Sequence, residues 1–114
     1  MTDEKKTLEA LVYQAVSTYV FGRLSGKHGL EWKDVGDNPG KKKDYDEKKS
    51  KVARDAFLAV RARTGADFVA YFTGTLCSVP QHVGADGYAQ LARELHTHPE
   101  RVRTLTLLAL SARG

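Results

Sequence analysis

Apolar residues recur along this chain at three- and four-residue steps, which is the spacing of amphipathic helices. The first such series predicts a helix from about Asp3 to Leu24, with Thr2 or Asp3 as its N-cap. A loop is predicted over about 25–40, because this stretch holds four glycines and a proline. Gly29 is among the residues expected to end the first helix.

The pattern predicts four further helices and no strand of any length. The second runs from about Lys42 or Asp44 to Arg63, the third from about Asp67 to Leu76 or Cys77, the fourth starts near Asp86, and the fifth starts at Pro99 and continues to the C-terminus. We therefore expect an all-α fold, a compact bundle of about five helices, forming a single domain over residues 1–114.

Composition is that of an ordinary globular protein, with 41% hydrophobic and 28% charged residues. The single cysteine, Cys77, has no partner for an internal disulfide, which fits a reducing cytosol. No apolar run approaches the roughly 20 residues needed to cross a bilayer. The polar N-terminus does not resemble a secretory signal. We expect a cytoplasmic protein.

Positive charge is concentrated in residues 41–63, which hold nine Lys or Arg against four Asp or Glu, whereas the rest of the chain holds nine against ten. A helix of this length extends roughly 35 Å, and one nucleic-acid strand places a phosphate about every 3.4 Å. This arrangement favours a nucleic-acid partner, and the alternative is a solvated helix face that maintains solubility. The candidate contacts are Lys48, Lys51, Arg54, Arg61 and Arg63, with Lys41, Lys42, Lys43 and Arg23 as possible additions.

The helical period separates the core face of the second helix from its cations. Lys51, Arg54 and Arg61 fall on the side opposite the apolar residues, so that core packing and anion binding use different faces. Leu58 lies among the exposed cations, where it is placed to meet a neighbouring subunit. The residues expected to face inward are Val52, Ala53, Ala56, Phe57, Ala59 and Val60.

Catalytic and metal-binding patterns find little support. His96 and His98 are two residues apart, so on a helix they would face different ways, and no nearby Cys or carboxylate completes a ligand set. Cys77 and His82 lack an orienting third group in sequence, and no phosphate-binding glycine motif is present. We expect no enzymatic activity, no catalytic residues, no metal and no cofactor.

Two other binding functions remain open. The segment from Asp86 to the C-terminus has the outline of a helix-turn-helix, but its second helix is rich in leucine and favours burial over base recognition. A protein-interaction spacer would instead use Leu58 and the loop aromatics to dock neighbours. Trp32 is expected to anchor the loop by packing, with Leu30 and Val35, and stacking on a base is the alternative role.

Four segments of the chain resemble a known family. They are LVYQAVSTYV (11–20), DAFLAVRAR (55–63), DFVAYFTGTLCSVPQ (67–81) and RTLTLLALSARG (103–114). Together they resemble the C-terminal helical region of the large subunit of type I-B-like CRISPR interference complexes (Cascade). In that family the region is also made as a separate small subunit, and a chain of 114 residues beginning with Met1 looks like that product.

The resemblance implies a non-catalytic helical bundle present in several copies per complex. Its expected partners are the large and backbone subunits of Cascade, the guide RNA and the target DNA. The expected role is to bind nucleic-acid backbone and stabilise the R-loop, in which the target duplex is held open and one DNA strand is displaced. The family carries no binding motif that transfers position by position, so the candidate contacts depend on charge geometry alone.

Overall fold

A computed structural model describes residues 7–29, 35–36 and 38–113. Over these residues the chain forms five α-helices and no strand: α1 (Leu8–His28), α2 (Pro39–Arg61), α3 (Gly65–Tyr71), α4 (Gly84–Thr97) and α5 (Pro99–Arg113). A π-helical turn, Phe72–Leu76, continues α3, and a short 3-10 turn, Pro80–His82, precedes α4. The prediction of an all-α, compact bundle of about five helices is confirmed. None of the described helices is long and apolar enough to span a bilayer.

The first helix begins later and ends later than its sequence predicts. Thr7 is the N-cap, because its hydroxyl oxygen accepts the N–H of Ala10 at 3.1 Å. The predicted caps Thr2 and Asp3 lie outside the described residues. The helix continues through Ser25 and Gly26 and ends at His28, and Gly29, one of the residues predicted to end it, is the left-handed C-cap with a φ of 65°. Gly26 lies inside the helix, where a glycine costs only about 1 kcal/mol relative to alanine and so does not force the helix to end.

The second helix begins earlier than predicted, at Pro39. The side-chain oxygen of Asn38 accepts the N–H groups of Gly40 and Lys41, at 3.0 and 3.1 Å, and proline suits the first helical position. The basic segment therefore starts directly on a capped helix end. The helix ends at Arg61, two residues before the predicted end.

The remaining starts differ by two residues or not at all. The α3 and α4 helices begin at Gly65 and Gly84, where φ is 54° and 81°, and α5 begins at Pro99 as predicted. In the loop between α1 and α2, Val35 is buried as expected, whereas Leu30 and Trp32 lie outside the described residues.

The core lies where α1, α2 and α5 pack against one another, with α4 and the π-helical turn adding to it. Phe68 of α3 and Phe72 of the π-helical turn also contribute to the core, and their ring centroids are 5.7 Å apart. The predicted inward face of α2 is confirmed, with Phe57 and Ala59 only partly buried. Its fully buried members are Val52, Ala53, Ala56 and Val60. Because the core holds this side of α2 in place, the opposite side is a fixed, solvent-facing surface.

Candidate nucleic-acid interface

The exposed side of α2 carries three cations on a single line, Lys43, Arg54 and Arg61, here called the basic ridge. All three are exposed. At about 100° per residue they lie within roughly 20° of one another around the helix axis, and at 1.5 Å per residue the line spans about 27 Å. Within the part of the chain that the structure describes, none of the three forms an ion pair. Glu47, also exposed, lies within about 40° of the same line, so the ridge is a solvent-facing row of three cations and one carboxylate.

The other cations of α2 do not all join the basic ridge. Helical geometry puts Lys41 and Lys48 on a second line, roughly 140° away from the ridge, with Lys51 between the two lines. Lys42 points about 100° or more away from every ridge residue. Leu58 lies between the two lines and is 53% exposed, which confirms its predicted exposure.

Three of these lysines form ion pairs one helical turn away. Lys42 pairs with Asp46 at 3.1 Å, Lys51 with Asp55 at 3.8 Å, and Lys48 with Asp44 at 4.0 Å. In each pair both side chains are about half exposed, and such surface pairs contribute only about 0.2–1 kcal/mol. These lysines therefore remain able to exchange an aspartate for a phosphate.

Arg63 differs from the basic ridge because its side chain packs against the protein. The guanidinium carbon lies 4.8 Å from the ring centroid of Tyr71, and a terminal nitrogen donates to the backbone oxygen of Ala59 at 2.8 Å. Desolvation by burial, followed by the interaction with Tyr19, raises the pKa of Tyr71 to about 12, while the charges of Arg63 and Arg23 oppose this rise. Arg63 thus lies on the ring of Tyr71, away from the centre of the ridge, and Arg23, exposed on α1, acts on the pKa of the same phenol.

Arg103, on α5, contacts the end of α2, and no pattern in the sequence indicates this contact. Its Nε donates to the backbone oxygen of Arg63 at 2.7 Å, and one terminal nitrogen donates to that of Arg61 at 3.0 Å. The side chain is only 17% exposed. It therefore satisfies carbonyls at the C-terminal end of α2 and fixes the backbone that carries Arg61.

Neither a reactive nucleophile nor a metal cluster is evident in the described residues. Cys77 is buried, and desolvation raises the pKa of its thiol to about 11, which disfavours the reactive thiolate. No group of three or more His, Cys, Asp or Glu side chains in the described part of the chain is arranged to hold a metal ion.

The last helix packs as a core element. It lies against both α1 and α2, and Val102, Thr106 and Leu110 are buried on it. The Thr106 hydroxyl donates to the backbone oxygen of Val102 at 2.7 Å, so this buried polar group is satisfied inside the helix. This packing agrees with the expectation of burial and disfavours a recognition helix that enters a DNA groove.

Comparison with protein families matches residues 1–113 to the type I-B CRISPR Cas8b C-terminal domain. No curated protein matches the chain.

Proposed function

Because the chain belongs to the family of type I-B CRISPR Cas8b C-terminal domains, we propose that it is a small, non-catalytic Cascade subunit that binds nucleic-acid backbone through the basic ridge. Membership of the family implies a component of a type I-B CRISPR Cascade complex, assembled with other subunits. The finer role proposed here is to stabilise the R-loop by holding the displaced DNA strand. The proposal includes several copies per complex, in the cytoplasm, beside guide RNA and target DNA.

The observation that carries this proposal is the line formed by Lys43, Arg54 and Arg61. Arg54 and Arg61 are about 10 Å apart along the helix, which is about three phosphates at the spacing of one strand. The guanidinium group of an arginine donates in a planar fork that matches phosphate oxygens. A row of such donors on one helix suits a backbone of regular charge and requires no base sequence.

The energetics of an R-loop make such contacts sufficient. The heteroduplex is about as stable as the DNA duplex that it replaces, so modest contacts between protein and backbone determine which state is populated. When a protein neutralises phosphates on a single strand, the logarithm of its binding constant falls with the logarithm of the salt concentration, with a slope of about −0.7 per contact. This slope is called the salt slope. Three ridge contacts therefore correspond to a slope near −2 for each copy.

The test is Arg54→Glu combined with Arg61→Glu, in the full chain and in the reconstituted complex. Binding to unrelated single-stranded DNA is measured by fluorescence anisotropy at several salt concentrations. We expect the double variant to bind more weakly, with a salt slope shallower by about 1.4, because two contacts are lost. Circular dichroism should show unchanged helicity, since both side chains are exposed.

A matched control is Arg93→Glu compared with Arg54→Glu alone, because each makes the same change in net charge. Arg93 is exposed on α4, a helix that packs against α1 and α5. If the two single variants weaken binding equally, net charge and not the basic ridge governs affinity. If the double variant keeps the affinity and salt slope of the original chain, the proposed function is wrong.

The alternative, a protein-interaction spacer that makes no nucleic-acid contact, also has a surface to act through. Leu108 and Tyr13 are 62% and 47% exposed, and both line an apolar groove between α1 and α5. Its proposed occupant is another Cascade subunit. This alternative predicts that the arginine variants assemble into the complex normally and leave its DNA affinity unchanged, so the same experiment separates the two functions.

A further inference from the structure

A cleft opens beside the basic ridge, between α2 and α5. Its volume is about 270 Å³, just below the range of about 300–1,000 Å³ for sites that hold drug-sized ligands. It therefore suits a smaller group. The lining residues combine an aromatic ring, an aliphatic side chain, two hydroxyls and a guanidinium: Phe57, Leu110, Ser50, Ser111 and Arg54.

The helical spacing aligns this cleft with the basic ridge. Ser50, Arg54 and Phe57 follow one another at steps of four and three residues, so they form a continuous stripe on one side of α2. Arg54 belongs both to this stripe and to the ridge. A strand whose phosphate meets Arg54 would therefore have the next chemical group, its sugar and base, at the mouth of the cleft.

The walls of the cleft are partly aromatic, partly aliphatic and partly polar, which favours a flat ligand with polar edges. Phe57 is only partly buried, so part of its ring faces the cleft, whereas Leu110 is 1% exposed and forms an apolar floor. The hydroxyls of Ser50 and Ser111 each donate and accept hydrogen bonds. Aromatic faces stack on nucleobases, and hydroxyls match the polar edges of a base without selecting one of the four.

We propose that this cleft takes one unstacked base of the single strand whose phosphates lie on the basic ridge. This inference depends on the proposed function, because without a bound strand no base is delivered to Phe57. It adds a second kind of contact, in which the ridge binds the backbone and the cleft anchors one nucleotide per copy. Such an anchor would fix the position of the strand along the ridge, which a row of charges alone does not do.

The experiment compares a short oligothymidylate with an abasic strand of the same length and charge. We expect the full chain to bind the oligothymidylate about tenfold more tightly, which is the contribution of one stacked base. Phe57→Leu should abolish this difference by weakening oligothymidylate binding alone, and Phe57→Tyr should preserve it. Phe21→Leu is the matched control, because Phe21 is an exposed phenylalanine on α1, outside the cleft, and should leave the difference intact.

The outcomes separate the cleft from the basic ridge. Equal affinity of the unmodified chain for both strands would overturn the cleft and leave the ridge in place. Failure to bind either strand would remove the proposed function itself. If Phe57→Leu destabilises the protein, its binding to the abasic strand will fall as well. Phe57→Tyr then serves as the test. A remaining tenfold difference between the two strands supports the cleft, and loss of that difference overturns it. Polyglutamate that binds as tightly as oligothymidylate, with the same dependence on Phe57, would point to an acidic protein partner and overturn the proposal.

Discussion

The two hydrogen bonds from Arg103 to the end of α2 predict how far the free energy of unfolding should fall when this side chain is replaced. Arg103→Met keeps most of the apolar stem of the side chain and removes both hydrogen bonds to the backbone oxygens of Arg61 and Arg63, together with the ion pair to the exposed Glu100 at 3.6 Å. A hydrogen bond from a charged group contributes about 1.5–3 kcal/mol. The low end applies here, because water replaces the arginine at a helix end that remains near the surface. The free energy of unfolding should therefore fall by about 3 kcal/mol, from two bonds of about 1.5 kcal/mol each.

Urea denaturation followed by far-UV circular dichroism measures this change. For a chain of this size 1 kcal/mol corresponds to a shift in Tm of about 4 °C, so Tm should fall by about 12 °C. The free energy of unfolding of Arg103→Lys should lie between those of the original chain and Arg103→Met, since an ammonium group lacks the planar fork that reaches both oxygens. Arg101→Met is the control, because Arg101 is an exposed arginine two residues away on the same helix. Equal unfolding free energies for Arg101→Met and Arg103→Met would refute the reasoning.

Two further predictions concern packing and pH. A Cβ on Gly87 would lie 2.8 Å from Cδ2 of Leu11 and 3.2 Å from Cβ of Val83, so Gly87→Ala should destabilise by about 1–3 kcal/mol. Gly22→Ala, in open space on α1, should stabilise the protein by up to about 1 kcal/mol. Chemical denaturation measures the change in unfolding free energy for both variants. A change of the same sign in both would contradict the packing described at Gly87. Burial raises the pKa of Cys77 from 9.0 to about 11, so the unfolded chain releases this proton first and the free energy of unfolding should fall as pH rises from about 9 to 11. Denaturation at a series of pH values should show a smaller fall for Cys77→Ala, and an identical pH dependence would count against a desolvated thiol.

The sequence predicts the helices well because their apolar spacing reflects the core directly. The inward face of α2 and the exposure of Leu58 both follow from the 3.6-residue period. The start of α1 does not, because the sequence predicts Thr2 or Asp3 as the cap, whereas the helix begins after Thr7, directly before the buried Leu8 and Leu11. Composition likewise suggests a stop near residue 25, but the helix tolerates Gly26 and ends only at the left-handed cap Gly29.

The candidate interface is predictable only in part, for a related reason. Charge counting locates α2, and helical geometry selects Arg54 and Arg61 from the sequence alone. Arg103 reaches the end of α2 across 40 residues of chain, and the contact of Arg63 with Tyr71 depends on how α3 turns back after α2, so no helical pattern reveals either. The cleft beside Phe57 depends in the same way on where α5 crosses α2.

The aspartates that accompany the lysines of α2 bear on how long a strand stays bound. Lys42, Lys48 and Lys51 each have an intramolecular carboxylate within 4.0 Å. If a strand binds there as proposed, a phosphate that leaves one of these ammonium groups can be replaced by the neighbouring carboxylate, so that its departure leaves no unpaired charge. We therefore expect these contacts to exchange one at a time, which shortens the time that a strand stays bound.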